Sequence, residues 1–179
     1  MFEPGGSNKS MVLATQPGLG SIPMYCGYAS HLSTPEAHYL QYYVEQGSKL
    51  LANLETDDNP LRALIMPRAM LSPLLTKAVC AVSAMHLSNR SLEDRGNGTA
   101  AANYYIRTLR DLRTSLEECP NATLRGDTVL AVALLCKYEI VRGSVKQWAV
   151  HLNALQKLVI SRGGFSCLDR ETAEFLWGL

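Results

Sequence analysis

The chain has 179 residues, of which 47% are hydrophobic and 18% charged, and its formal net charge is +1. This length allows one domain or a part of a larger one, and the hydrophobic fraction is that of a globular rather than a disordered protein. A net charge so close to zero gives no electrostatic reason for the chain to bind nucleic acid or an anionic membrane directly.

The cysteine content indicates a reducing, intracellular environment. The five cysteines include no C-x-x-C pair, and an odd number favours free thiols over a set of disulfides. The N-terminal region lacks the uninterrupted apolar core of a signal peptide. The longest apolar run, residues 129–136, is much shorter than the ~20 residues that a membrane span needs. The sequence therefore predicts an intracellular protein with no membrane partner.

The N-terminal region predicts a flexible segment followed by a helix. Residues 1–33 are rich in Gly, Pro and Ser and show no periodicity, which is typical of a flexible leader or linker. Ser33 or Thr34 can cap a helix that begins directly afterwards. Pro35 and Glu36 suit the first turn of that helix, where proline is tolerated and a negative charge favours the dipole.

Prolines divide the next part of the sequence. Pro60, Pro67 and Pro73 predict short helical turns that lead into a longer helix from Pro73 to about Ser88, because proline is favoured in first turns and breaks helix interiors. A loop follows, and then a further helix over about residues 99–118.

Two more helices are predicted at residues 127–141 and 145–161. The first is apolar nearly all round, which is typical of a central helix that is covered on several sides. Gly143 and Gly163 follow these helices at positions where a left-handed residue commonly ends a helix.

No stretch of the sequence shows the alternation of a β-strand, so the fold class is predicted to be all-α. We expect an irregular bundle of about five to seven helices over residues 34–179. The final segment, "DRETAEFLWGL", opens a helix with no visible end. The sequence is therefore interpreted as the N-terminal part of an all-helical regulatory domain that is truncated at its C-terminus.

A set of polar side chains interrupts the last two apolar helices. Glu139, next to Tyr138, lies in the first of them, and His151 and Arg162 lie in the second. A buried carboxylate is costly unless it is paired, so we predict that Glu139 pairs with His151, Arg162 or a backbone donor. Such a pairing would fix how two helices pack, and it would also suit the lining of an effector pocket.

An apolar stripe runs along the second of these helices. Trp148, Leu152, Leu155 and Val159 recur at the i, i+4, i+7 and i+11 positions, which predicts the face that packs against a neighbour. His151 is predicted to lie at the edge of this stripe. If Trp148 is fully buried, replacing it by Ala would cost ~3–5 kcal/mol.

Two segments, "NPLRALIMPRAMLSPLLTKAVCAVSAMHLS" and "LLCKYEIVRGSVKQWAVHLNALQKLVISRGG", followed by "EFLW", resemble the fungal-specific transcription factor domain. This domain is the regulatory region of fungal zinc-cluster transcription regulators. The resemblance covers about residue 36 to the C-terminus. The matching features are Asn59-Pro60, Ala84–Leu87, Leu134-Leu135, Tyr138-Glu139, Trp148, His151-Leu152 and Arg162-Gly163-Gly164.

The resemblance implies a non-catalytic module of transcription regulation in the nucleus. Such a module contacts other regulator segments, coactivator proteins or a small-molecule effector through its helix faces. Regulators of this family bind DNA through an N-terminal cluster of six cysteines that holds zinc, whereas residues 1–33 contain only Cys26. Zinc and direct nucleic-acid binding are therefore not carried over, and no cofactor is expected in this chain.

Two other hypotheses remain at this point. The chain would also suit a free-standing helical interaction scaffold that never had a DNA-binding half. A helical enzyme is the third hypothesis, and it would need titratable groups that converge in a cleft. Glu139, His151 and Arg162 are the candidate set for such a pocket.

Overall fold

Every regular element that the structure describes is helical. The computed structural model describes residues 32–47, 60–90, 95–118 and 126–177, and within these ranges it contains seven α-helices and no strand. The predicted all-α class and the predicted number of helices are confirmed. Apart from its last two residues, the predicted leader at 1–33 lies outside the described residues.

The helices follow one another along the chain with two short irregular turns. They are α1 (Thr34–Tyr42), which continues in a π-helical turn (Tyr43–Gly47), α2 (Pro60–Ala69), α3 (Pro73–Arg90), α4 (Arg95–Glu118), α5 (Gly126–Arg142), α6 (Val145–Ser161), a 3-10 turn (Phe165–Cys167) and α7 (Arg170–Trp177). None of the helices in the described ranges is long and apolar enough to cross a membrane.

The start of α1 is fixed by a capping box at Ser33. The Ser33 side-chain oxygen accepts a hydrogen bond from the Glu36 backbone N–H at 3.4 Å, and the Ser33 backbone N–H donates to Glu36 Oε2 at 2.9 Å. These two bonds satisfy donors that have no partner inside the helix. The predicted cap is therefore confirmed.

Proline has a weaker effect in α2 than the sequence predicts. Pro67 lies inside this ten-residue helix rather than at its end. Proline removes one backbone hydrogen bond, but Leu64, Ile65 and Ala69 are buried on either side of it. The burial of these side chains offsets the lost bond, so the segment is one helix rather than a series of short turns.

The core is built around two central helices, α3 and α5. Residues 78–84 of α3 are all buried, and so is every residue of α5 from Thr128 to Glu139. Helix α3 packs against α1, α4 and α5, and α5 packs against α6 on another side. The prediction of a central helix covered on several sides is confirmed for α5.

A tight turn brings α6 back along α5. Gly143 has φ of +78°, in the left-handed region that favours glycine, and the Ser144 N–H donates to the Glu139 carbonyl at 2.9 Å. The short turn makes α5 and α6 neighbours in space, so side chains from the end of α5 face those of α6.

The last helix docks back on the bundle through both polar and apolar contacts. Asp169 accepts a hydrogen bond from the Thr172 backbone N–H at 2.9 Å, and it pairs with Arg68 of α2 at 2.9 Å. Phe175 and Leu176 are buried in the common core. Helix α7 is therefore held by contacts with α2 and α5.

Candidate functional site

The side chain of Glu139 is completely buried at the end of α5. It has no exposed surface, and neither of its carboxylate oxygens has a hydrogen-bond partner among the described residues. Two cationic or potentially cationic groups lie near it. Arg142 Nη1 is 3.7 Å from Oε2, and His151 Nε2 is 3.9 Å from Oε1. Both distances are longer than a hydrogen bond, so the Glu139 carboxylate has charged or polar neighbours but no close hydrogen bond to them.

Tyr105 connects this carboxylate to a third helix. Its hydroxyl, on α4, is hydrogen-bonded to His151 Nε2 of α6 at 2.8 Å. Its ring stacks on Tyr138 of α5, with centroids 4.6 Å apart and planes inclined by 26°, and meets the His151 ring edge-on at 5.9 Å. We refer to Tyr105, Tyr138, Glu139 and His151 as the polar cluster. It joins α4, α5 and α6 at one point.

The pKa shifts within the polar cluster follow from its burial. Burial lowers the pKa of His151, and the Glu139 carboxylate opposes this effect without overcoming it. Burial, followed by the adjacent Glu139 carboxylate, raises the pKa of Tyr105. At neutral pH both groups are therefore uncharged, and their hydrogen bond is one between neutral partners.

The packing face of α6 differs from the predicted stripe. His151, Leu155 and Val159 are buried, with exposed fractions of 8%, 5% and 4%, whereas Leu152 is 38% exposed and Trp148 is only partly buried. The face is therefore rotated so that His151 lies on it and Leu152 lies outside it. The reason is that α4 and α5 supply Tyr105 and Glu139 as polar partners, so a histidine can occupy an inward position.

The position of Trp148 also changes the cost expected for its removal. The estimate of ~3–5 kcal/mol applied to a fully buried tryptophan, and a partly buried one leaves a smaller cavity and loses less apolar contact. We therefore expect Trp148→Ala to cost less than that estimate.

Arg162 is not close enough to join the polar cluster. It lies eleven residues after His151 at the end of α6, which corresponds to about 16 Å along a helix axis. Since His151 lies beside Glu139, Arg162 is too far along α6 to reach the same carboxylate. Arg142, one turn after Glu139 on α5, takes the place predicted for Arg162. The Nη1 atom of Arg162 is buried without a hydrogen-bond partner among the described residues.

Tyr105 and Arg142 are the functional candidates that the sequence interpretation did not include. Tyr105 lies seven residues before the buried Leu112 on the apolar face of α4. A tyrosine on such a face requires a partner for its hydroxyl, and this requirement is the signal by which Tyr105 could have been found. Arg142 has the spacing of an i, i+3 partner for Glu139.

The chemical groups of the polar cluster are enclosed rather than presented in a cleft. Glu139, His151 and Tyr138 are all buried, and no group of three metal-ligating side chains occurs in the described part of the chain. An open groove of about 460 Å³ lies elsewhere, between α1 and the first turns of α4. The groove is lined by residues such as Tyr39, Asn103, Tyr104 and Arg107 and by no member of the polar cluster.

The model of the fungal specific transcription factor domain matches residues 38–179. The chain belongs to this family. Membership gives it a role in transcription regulation, and the family is a regulatory rather than an enzymatic one. No curated protein and no solved structure matches the chain significantly. The resemblance identified from the sequence segments is confirmed over nearly its whole predicted range.

Proposed function

We propose that the chain is a non-catalytic regulatory module of the nucleus in which the position of α6 relays a regulatory state. In this proposal its helix faces contact other segments of the regulator, coactivator proteins or a small effector. The module has no cofactor and no zinc cluster of its own, and it does not contact DNA directly. The observation that carries the proposal is the completely buried Glu139 at the junction of three helices.

The way in which α6 is attached supports this role. Its main packing partner is α5, and the polar cluster adds a link to α4 through the hydrogen bond between Tyr105 and His151. A buried polar link costs free energy compared with apolar packing, but it restricts the ways in which two helices can fit together. The polar link gives α6 one defined position. Because α6 is packed largely on one side, it is also suited to change that position.

The state of the polar groups also favours a structural role over a catalytic one. A general base must reach the proton that it removes, either directly or through a water molecule. The Glu139 carboxylate is completely buried, and the Tyr105 hydroxyl is already bonded to His151. We therefore assign these groups to the positioning of α6 rather than to the making or breaking of bonds.

The proposal is tested with the full chain fused to an unrelated DNA-binding domain and a reporter gene in fungal cells. Glu139→Gln keeps the shape of the side chain and removes its charge, and Tyr105→Phe removes the hydroxyl. We expect each substitution to change reporter output about fivefold or more, the scale of a typical allosteric coupling. Circular dichroism of the purified chain establishes that each variant is folded.

Glu117→Gln is the matched control for loss of charge. Glu117 lies on the exposed side of α4, and Arg113, at 2.7 Å, is its ion-pair partner among the described residues, so we expect its replacement to leave reporter output unchanged. Folded Glu139→Gln and Tyr105→Phe variants with the reporter output of the unmodified chain would contradict the proposed function.

A further inference from the structure

One flank of α6, beside the face that packs on α5, carries an exposed apolar stripe. Val145, Leu152 and Ile160 are 76%, 38% and 65% exposed. Their spacing of seven and eight residues places them on one side of the helix, with Ala149 and Gln156 between them. We refer to Val145, Leu152 and Ile160 as the outer stripe. Large apolar side chains aligned on one helix face are typical of a surface that binds another helix.

The surroundings of the outer stripe are basic. From residue 140 to residue 168 the chain has four basic residues, Arg142, Lys146, Lys157 and Arg162, and no aspartate or glutamate, although the whole chain has a net charge of only +1. Lys146 and Lys157 are exposed and form no ion pair with any described residue. They are eleven residues apart, so they lie on the same side of α6, next to the outer stripe.

The charge and the apolar surface together indicate which kind of partner would bind the outer stripe. In a symmetric dimer of the chain the basic surface would face itself, and like charges across an interface are unfavourable. An anionic lipid surface would also attract the lysines, but the outer stripe has no aromatic residue and is interrupted by Gln156. A protein segment that carries both acidic and apolar side chains matches both properties, and family membership places the chain in transcription regulation.

We infer that the outer stripe, with Lys146 and Lys157, binds an acidic amphipathic helix of a partner protein. Leucine or phenylalanine side chains of the partner pack on Val145, Leu152 and Ile160, while its carboxylates pair with the two lysines. The inference rests on the proposed function, since it names the class of partner that a module of this kind would receive on α6.

The test uses the full chain and a synthetic, fluorescein-labelled peptide that is rich in Asp and Glu and carries Leu and Phe at helical spacing. Fluorescence anisotropy measures its binding. We expect a dissociation constant on the order of micromolar, as for other small interfaces, and weaker binding as added salt screens the charges. A peptide of the same composition with its apolar residues scattered should bind at least about tenfold more weakly, because it cannot form one apolar face.

Two double variants test the two parts of the surface separately. Leu152→Ser with Ile160→Ser removes apolar contact, and Lys146→Glu with Lys157→Glu reverses the charge. Each pair should weaken binding by about tenfold or more. Val150→Ser is the matched control, because Val150 is 55% exposed on the same helix but lies beyond the lysines and outside the outer stripe. Its replacement should change binding by less than about twofold.

Several outcomes would overturn the inference. They are the absence of peptide binding, equal binding by folded double variants, and binding of the chain to phosphatidylserine vesicles but not to the peptide. The reporter assay separates this failure from failure of the proposed function. If the peptide does not bind and Glu139→Gln still changes reporter output, only the inference about α6 fails. If the peptide binds as expected and both polar-cluster variants leave output unchanged, the proposed function fails.

Discussion

Helices α5 and α6 are neighbours in the chain and in space, but they are held in the fold in different ways. Twelve consecutive residues of α5, Thr128 to Glu139, are buried, whereas α6 buries only one face, through His151, Leu155 and Val159. The stability of the bundle therefore resides mainly in α5. Helix α6 adds less burial, and its position depends more on a small number of polar contacts.

The sharpest test of this comparison is a matched pair of leucine truncations. Leu134 of α5 is completely buried, and Leu152 of α6 is 38% exposed. We expect Leu134→Ala to lower the free energy of unfolding by ~2–5 kcal/mol, because it opens a cavity in the core. Leu152→Ala should cost less than about 1 kcal/mol. Urea denaturation of the two variants measures the difference.

Equal losses for the two leucine variants would remove the distinction between the helices. A large loss for Leu152→Ala with a small one for Leu134→Ala would reverse it, and the predicted stripe through Leu152 would then describe the packing face better than the structure does.

We expect acidic pH to lower the free energy of unfolding by a smaller amount. Burial keeps the pKa of His151 in the folded chain below its ordinary value of 6.5. At a pH between the lowered pKa and 6.5, the unfolded chain therefore binds a proton that the folded chain does not. The contribution of His151 to stability is therefore fully present above pH 6.5 and is lost as the pH falls through its lowered pKa. We expect His151→Gln to reduce this loss, as measured by urea denaturation at a series of pH values.

His151 and His86 both contribute to the loss of stability at acidic pH. His86 also has a lowered pKa, owing to its burial and then to Arg90, so its contribution has the same sign. The His151→Gln variant should therefore keep part of the dependence, and an added His86→Gln change should reduce it further. A stability profile that is unaffected by either substitution would show that neither histidine is buried as described.

The sequence predicts the architecture well because the signals are local. The run of apolar residues over α5 specifies a central helix, and the side chain of Ser33 specifies the start of α1 without help from distant residues. Pro67 is the exception. Its effect on α2 depends on tertiary burial of its neighbours, which local propensity does not contain.

The candidate site was harder to predict because its partners come from three helices. The sequence pattern selects Glu139 and His151 as unusual polar residues, but it does not identify Tyr105 of α4, which bonds His151 across 46 positions. It also places Leu152 inside and His151 at the edge, because an apolar residue is the better inward choice when no polar partner is known. Whether the eight candidate residues contact a partner or an effector stays a prediction.

The central claim is that contact between Tyr105 and His151 fixes α6 against the bundle, and a double-mutant cycle tests it most directly. The free energy of unfolding is measured for the unmodified chain, Tyr105→Phe, His151→Phe and the double variant. The account predicts a coupling energy of about 0.5–1.5 kcal/mol between the two positions, the range for a hydrogen bond between neutral groups. Losses that add to within about 0.3 kcal/mol would contradict it.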